Sequence, residues 1–185
     1  MNDGQALIEY ERNDVLLFIF SLILITILTI ADQLIKLAVV KNIPLYEVHE
    51  IIKIGSHKIF SLTHVKNDGA AWSIMAGKPW FLIGIPIIII LIGIFFLYKK
   101  RNDSKFLILS LSVLIAGGIG NLIDRIRLHE VIDYIKFEPI NFPVFNFADI
   151  CVVIGGILFC IYFIVIDEVN KRKKSNISVN KDESN

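Results

Sequence analysis

Four long apolar runs set the rhythm of this chain: Val15 to Ala31, Trp80 to Tyr98, Phe106 to Ile123 and Ile150 to Ile166. Each holds 17 to 19 residues, and at a rise of about 1.5 Å per residue a helix of that length approaches the thickness of bilayer hydrocarbon. With their flanks, the runs predict spanning helices over about 15–36, 80–98, 106–124 and 148–166. The first could be mistaken for a cleaved signal, but it has no small-residue cleavage site and continues directly into the charged helical stretch Asp32 to Lys36, so it is expected to remain as a first span.

Two connections, 41–79 and 125–146, are long enough to carry structure of their own. In the first, Ile51 to Ile54 and His57 to Val65 flank Gly55-Ser56, a two-residue link between β-rich runs that predicts a hairpin. The expected fold class is therefore an all-α membrane protein of four transmembrane helices, with a small extracytoplasmic β platform and a short outer loop or helix. A single membrane domain is expected over 1–174. Residues 175–185, rich in Ser, Asn and Lys, have too little apolar content to fold alone and read as a disordered cytoplasmic tail.

Composition agrees with the pattern. The chain is 55% hydrophobic with a mean hydropathy of +0.65, too apolar for an ordinary soluble domain. A net charge of +1 gives no overall basic field of the kind that binds nucleic acid. Basic residues matter locally instead. Lys99, Lys100, Arg101 and Lys105 crowd one connection and Lys171 to Lys174 follow the last span, which places both in the cytoplasm, and with an even number of spans the N-terminus as well. Cys151 and Cys160 lie nine residues apart in one apolar run, on opposite faces of a helix, and read as packing residues.

That topology brings polar residues to one level. The third span runs outward and ends in Gly117-Gly118-Ile119-Gly120-Asn121-Leu122-Ile123-Asp124-Arg125, and the fourth runs inward from Phe145-Asn146-Phe147-Ala148-Asp149. Gly117, Gly120, Asn121 and Asp124 recur at intervals of three and four and share one small, polar face. Asp32 and Lys36, one turn apart near the outer end of the first span, are spaced as a helical ion pair. Asp124 could simply pair with Arg125 or Arg127. Two carboxylates on adjacent antiparallel helices, each three residues after an asparagine, point instead to a functional pair. Close carboxylates do not both ionise easily, so one can act as base on a water while the other donates a proton to an amide, with no metal or covalent nucleophile required.

The ordered motifs are Asp32-Gln33-Leu34-Ile35-Lys36, Asn67-Asp68-Gly69-Ala70-Ala71-Trp72-Ser73, Gly120-Asn121-Leu122-Ile123-Asp124-Arg125, Val131-Ile132-Asp133-Tyr134 and Phe145-Asn146-Phe147-Ala148-Asp149. Together they resemble the lipoprotein signal peptidases, or signal peptidase II, an aspartic peptidase family of bacterial membranes. The resemblance implies that Asp124 and Asp149 are the catalytic dyad and that the substrate is a prolipoprotein cut before its diacylglyceryl-modified cysteine. It further implies that Asn67, Asn121, Arg125 and Asn146 contact substrate backbone or hold the catalytic residues, with Asp32 and Lys36 supporting the site. For Asn67 the alternative is a turn residue before Gly69, and for Asp133 a structural salt bridge is expected in preference to a third functional acid. Membrane lipids are the other expected partners. A monomer without cofactor is expected in the bacterial cytoplasmic membrane, with both termini cytoplasmic and the site near the extracytoplasmic face.

The chain departs from the family pattern at Trp72 and Tyr134, where many relatives have Phe, and at Ser61, where the family often has Asn. His49, His57, His64 and His129 fall in the outer segments without metal-ligand spacing. The competing class is a proton-coupled carrier with Asp32, Lys36, Asp124 and Asp149 as a relay, which requires polar residues through the full membrane depth. The inward halves of the spans are instead nearly unbroken Ile, Leu, Val and Phe.

Overall fold

The computed structural model describes residues 3–69, 78–99, 104–166 and 168–169. Its long helices are α1 (Asp3–Asn42), α2 (Pro79–Lys99), α3 (Lys105–Leu128) and α4 (Phe147–Ile161), the last continued by a π-helical turn over Tyr162–Ile166. Among the described residues, four helices are long and apolar enough to cross a membrane. The loop bases Lys100 and Arg101, the segment 70–77 and the 175–185 tail lie outside the described residues.

Helix α3 is the centre of the bundle, touching α1, α2 and α4. Leu107, Ile108, Leu111, Ile115 and Ala116 of α3 form a core with Ile25, Ile90, Leu97 and Tyr162. The other three helices turn rows of large apolar side chains outward, as on α1 with Leu16, Phe20, Ile23 and Ile27. That inversion suits a lipid solvent, where an exposed Leu or Ile costs nothing. Ser110 and Ser112 are fully buried in α3, and their hydroxyls donate to the carbonyls of Leu107 and Ile108.

Close approach of α3 and α4 depends on glycine. A Cβ on Gly155 would stand 2.5 Å from the Leu114 nitrogen, and one on Gly117 would stand 2.3 Å from the Ala148 carbonyl oxygen. Neither obstacle is a flexible side-chain tip. Gly155→Leu is therefore expected to cost roughly 1–3 kcal/mol by overpacking, read as a lowered melting temperature in detergent. Gly156→Ala, on the open side of the same helix with nothing within 4 Å, should leave it unchanged.

Three antiparallel strands, β1 (Val48–Ile54), β2 (His57–Asn67) and β3 (Val131–Phe137), form a sheet in that order. The hairpin lies where its turn signal placed it, and Gly55 takes φ 60° at the first central position, a conformation that favours glycine. The third strand of the platform comes from the outer connection 125–146: Val-Ile-Asp-Tyr-Ile pairs with β2, with Asn67 opposite Val131 and Val65 opposite Asp133. Strand alternation then sorts its side chains. Ile132 and Tyr134 pack with Val39 on one face, leaving Val131 and Asp133 to the other.

Candidate active site

Three elements bring polar side chains to the sheet end of the bundle: the second half of α1, the last turns of α3 and the first turn of α4. Helix α4 begins with a reciprocal cap. The Asn146 side chain accepts from the Asp149 backbone N–H at 2.9 Å, and the Asp149 carboxylate accepts from the Asn146 backbone N–H at 3.1 Å. The two other free amides of that turn also find side chains, Phe147 N–H donating to the Tyr134 hydroxyl (3.1 Å) and Ala148 N–H to Asp32 Oδ1 (3.0 Å). Asn146, Tyr134 and Asp32 thus fix the first turn of α4 and with it Asp149.

Lys36 is the hub beneath it, only 3% exposed. Its Nζ meets Asp32 Oδ2 at 2.9 Å and Asp124 Oδ2 at 2.8 Å, and donates to Asn121 Oδ1 at 3.1 Å, which uses all three ammonium protons. Gly120 leaves room for this cluster, since a Cβ there would stand 2.6 Å from Asp32 Oδ2. Asn121 Oδ1 also accepts from the Asn146 amide at 3.0 Å. With two donors on that oxygen, the Asn121 NH2 must face the other way, and it donates to Asp149 Oδ1 at 2.7 Å.

Asp124 belongs to the hub. Besides Lys36, it accepts from Gln33 Nε2 at 3.1 Å and from the Ile132 backbone N–H at 3.3 Å. A cavity of about 530 Å³ lies beside the cluster, lined at its polar end by Asn67, Asn121, Arg125, Asp133 and Asp149 and at its apolar end by Phe142, Phe145, Ile150, Val152 and Val153. Asp124 does not line it. The carboxylate that shares the cavity with Asp149 is Asp133, and this geometry runs against the sequence expectation of an Asp124–Asp149 pair. The physical reason is that α3 turns the face bearing Asp124 toward α1 and Lys36, while β3 presents Asp133 to the cavity.

The expected salt bridge of Asp133 is also absent among the described residues. Its Oδ1 accepts from Asn146 Nδ2 at 2.7 Å and its Oδ2 from Asn67 Nδ2 at 2.9 Å. Asp133 is 2% exposed. Burial pushes its carboxyl up to about 7; the Asn67 hydrogen bond opposes that shift, the Asp149 charge adds to it, and Asn146 and Lys36 work against it. Tyr134, next in the strand, is pushed up to about 12 by burial.

Arg125 donates to the Gly69 carbonyl at 3.2 Å. Its buried Nε has no hydrogen-bond partner among the described residues. Of the residues singled out from sequence, Asn67, Asn121, Arg125 and Asp149 therefore line the cavity, Asn146 bridges the two cavity carboxylates, and Asp32, Lys36 and Asp124 lie in the hub. Gln33 and Tyr134, not singled out from the sequence as contributors, also bond to the site, and Asp133 is held by two asparagine amides where a salt bridge was expected. The histidines are scattered: His64 Nδ1 bonds the Ile43 carbonyl oxygen, His129 ends α3 at φ 61°, and His49 lies against Glu47.

The comparisons with known proteins agree with each other. The family model described as signal peptidase (SPase) II matches residues 24–165. The chain is 41% identical over 143 residues to the lipoprotein signal peptidase of Lactococcus lactis subsp. lactis (strain IL1403), covering 77% of this chain and 92% of that protein. With the lipoprotein signal peptidase of Streptococcus agalactiae serotype Ia it shares 44% identity over 139 residues, 75% of this chain and 88% of the relative. Among solved structures it is similar to a bacterial membrane enzyme determined by the in meso method at 2.3 Å resolution, with a TM-score of 0.73 and 34% identity over 82% of this chain and 91% of the other.

Proposed function

The chain belongs to the signal peptidase II family, and from that premise we propose an aspartic endopeptidase whose catalytic pair is Asp133 and Asp149. Its activity is removal of signal peptides from prolipoproteins. The observation that carries the assignment of the pair is that these two carboxylates share one cavity wall, bridged by Asn146, with an apolar slope running away from them along α4. This departs from the Asp124–Asp149 assignment, and Asp124 becomes a buttress: it holds Lys36 and the backbone of Ile132, the residue before Asp133.

Asp133, whose carboxyl burial pushes up to about 7 so that it still carries a proton on the acid side of neutrality, is the acid. Asp149 receives two hydrogen bonds at the first turn of α4, where the positive end of the helix suits an anionic acceptor. It takes a proton from water as the water oxygen attacks the scissile carbonyl carbon, and Asp133 gives its proton to the carbonyl oxygen. Collapse of the tetrahedral species breaks the C–N bond, with the proton on Asp149 passing to the leaving nitrogen and the hydroxyl proton returning to Asp133. Arg125, which lines the cavity beside Asp149, orients a substrate carbonyl through its guanidinium donors.

Lipid enters through the apolar end. Val152, Val153 and Ile154 line the cavity on the exposed face of α4, and the acyl chains of a diacylglyceryl-cysteine lie along them while the peptide bond reaches the carboxylates. We read the site as extracytoplasmic, both termini as cytoplasmic and the protein as monomeric, on the loop charges and the single-chain cavity. A carrier reading finds no support: the buried ionisable groups gather at one end, and deeper polar residues such as Ser21, Ser110 and Ser112 bond carbonyls of their own helices.

The test is purified protein on a prolipoprotein carrying diacylglyceryl-cysteine beside its unlipidated form. Cleavage of the lipidated form alone is expected. Equal cleavage of both would remove the lipid from the recognition argument, and cleavage of neither would overturn the peptidase reading.

A further inference from the structure

Asn67 stands at the last position of β2, where the strand ends and the chain turns away. Its side-chain oxygen accepts from the Gly69 backbone N–H at 3.0 Å, closing a short turn. With that oxygen engaged, the NH2 end must face the opposite way. Because Asn67 lies opposite Val131, and Asp133 is two residues further along β3, the two side chains are diagonal neighbours on one sheet face. The Asn67 amide donates to Asp133 Oδ2 at 2.9 Å. Gly69 is itself held from the other side, its carbonyl accepting from Arg125.

We propose that Asn67 is a positioning residue for the acid of the pair: the turn it closes at Gly69 aims its amide at Asp133 and sets how firmly that carboxyl keeps its proton. The inference rests on Asp133 and Asp149 being the catalytic pair. Every element around Asp133 contributes a group to the balance: Asn67 from β2, Asn146 ahead of α4, Asp149 on α4, Arg125 on α3 and Lys36 on α1. Asn67 is the largest opponent of burial among them. A donor to a carboxylate oxygen favours the ionised form, so deleting it makes the proton harder to remove. Wild-type cleavage should therefore decline on the alkaline side as pH passes about 7, where Asp133 loses its proton. Variants without the donor should keep their own maximal rate to higher pH.

Two variants separate this role from that of a turn residue. Asn67→Asp keeps an oxygen for the Gly69 N–H but replaces the donor by an acceptor, and Asn67→Ser keeps a hydroxyl for the turn but is too short to reach Asp133. The measurement is the pH profile of kcat/KM for a lipidated precursor in one detergent. For Asn67→Asp the alkaline limb should move up by about one pH unit, equivalent to a tenfold gain relative to its own plateau at a pH on the wild-type limb. For Asn67→Ser the shift should be smaller and in the same direction. If Asn67 only closes the turn, both variants will keep the wild-type limb, and that result overturns the proposal. Asp133→Asn is run beside them: near-normal cleavage by it would sink the catalytic pair itself, whereas an inactive Asp133→Asn with unmoved limbs would remove only the role given to Asn67.

Discussion

Asp133→Asn and Asp149→Asn are each expected to lower cleavage of a lipidated precursor by about a thousandfold or more, since each removes one half of the acid–base chemistry. Asp124→Asn should behave differently. Its carboxylate touches Lys36, Gln33 and the Ile132 backbone, not the cavity, so the variant should lose activity by displacement of β3 and its Asp133. A displacement of that kind costs on the order of a hundredfold. The three proteins should be compared at equal folded amounts, with kcat and thermal midpoint measured in the same detergent. Asp133→Asn should keep a midpoint close to wild type while losing turnover, and Asp124→Asn should lose both. Full activity in Asp133→Asn, or a well-folded Asp124→Asn as inactive as Asp149→Asn, would return the second carboxylate to Asp124.

Asp124 stands out in the sequence for physical reasons that also bound what the sequence can say. Spans, hairpin and the meeting of α3 with α4 were legible because they follow from hydropathy, turn chemistry and the spacing of small residues, all local signals. Depth was legible too: Asp124 and Asp149 do lie at the same end of the bundle. Which face of α3 meets which neighbour was not, because a stripe of Gly117, Gly120, Asn121 and Asp124 fits against α4 or α1, and in the structure it serves both. Gly117 abuts Ala148 of α4, Asn121 reaches Asp149, and Asp124 continues round to Lys36 of α1. The signal for Asp133 was present in Val-Ile-Asp-Tyr-Ile-Lys-Phe, a run rich in β-branched and aromatic residues that contains an acid. Read as a strand, that run puts Asp133 opposite to the faces of Ile132 and Tyr134. Its partner strand, and so its distance from Asp149, is a long-range fact that periodicity does not contain.

Lys36→Met should be the most destabilising single substitution in the buried hub of the site. The methionine is close in length and leaves no large void, so the effect isolates the charge. It leaves Asp32 and Asp124, 1% and 3% exposed, without the ammonium that lies between them. Removing one partner of a buried ion pair costs about 3–5 kcal/mol, because the remaining charge has lost its compensation without regaining water. Here two carboxylates are stranded, and the consequence spreads to α4, whose Ala148 amide is capped by Asp32, and to Asn121, which loses one of the two donors that aim its amide at Asp149. Lys36→Met should therefore lower both folded yield and thermal midpoint. Adding Asp124→Asn to it should recover part of the loss, since the double variant strands one carboxylate instead of two. The double-variant cycle is the deciding measurement. A recovery of about 1 kcal/mol or more in the double variant fits a charge hub, whereas simple additivity of two losses would mean that Lys36 acts on Asp32 or on packing alone, and that Asp124 is held in place by Gln33 and the Ile132 amide.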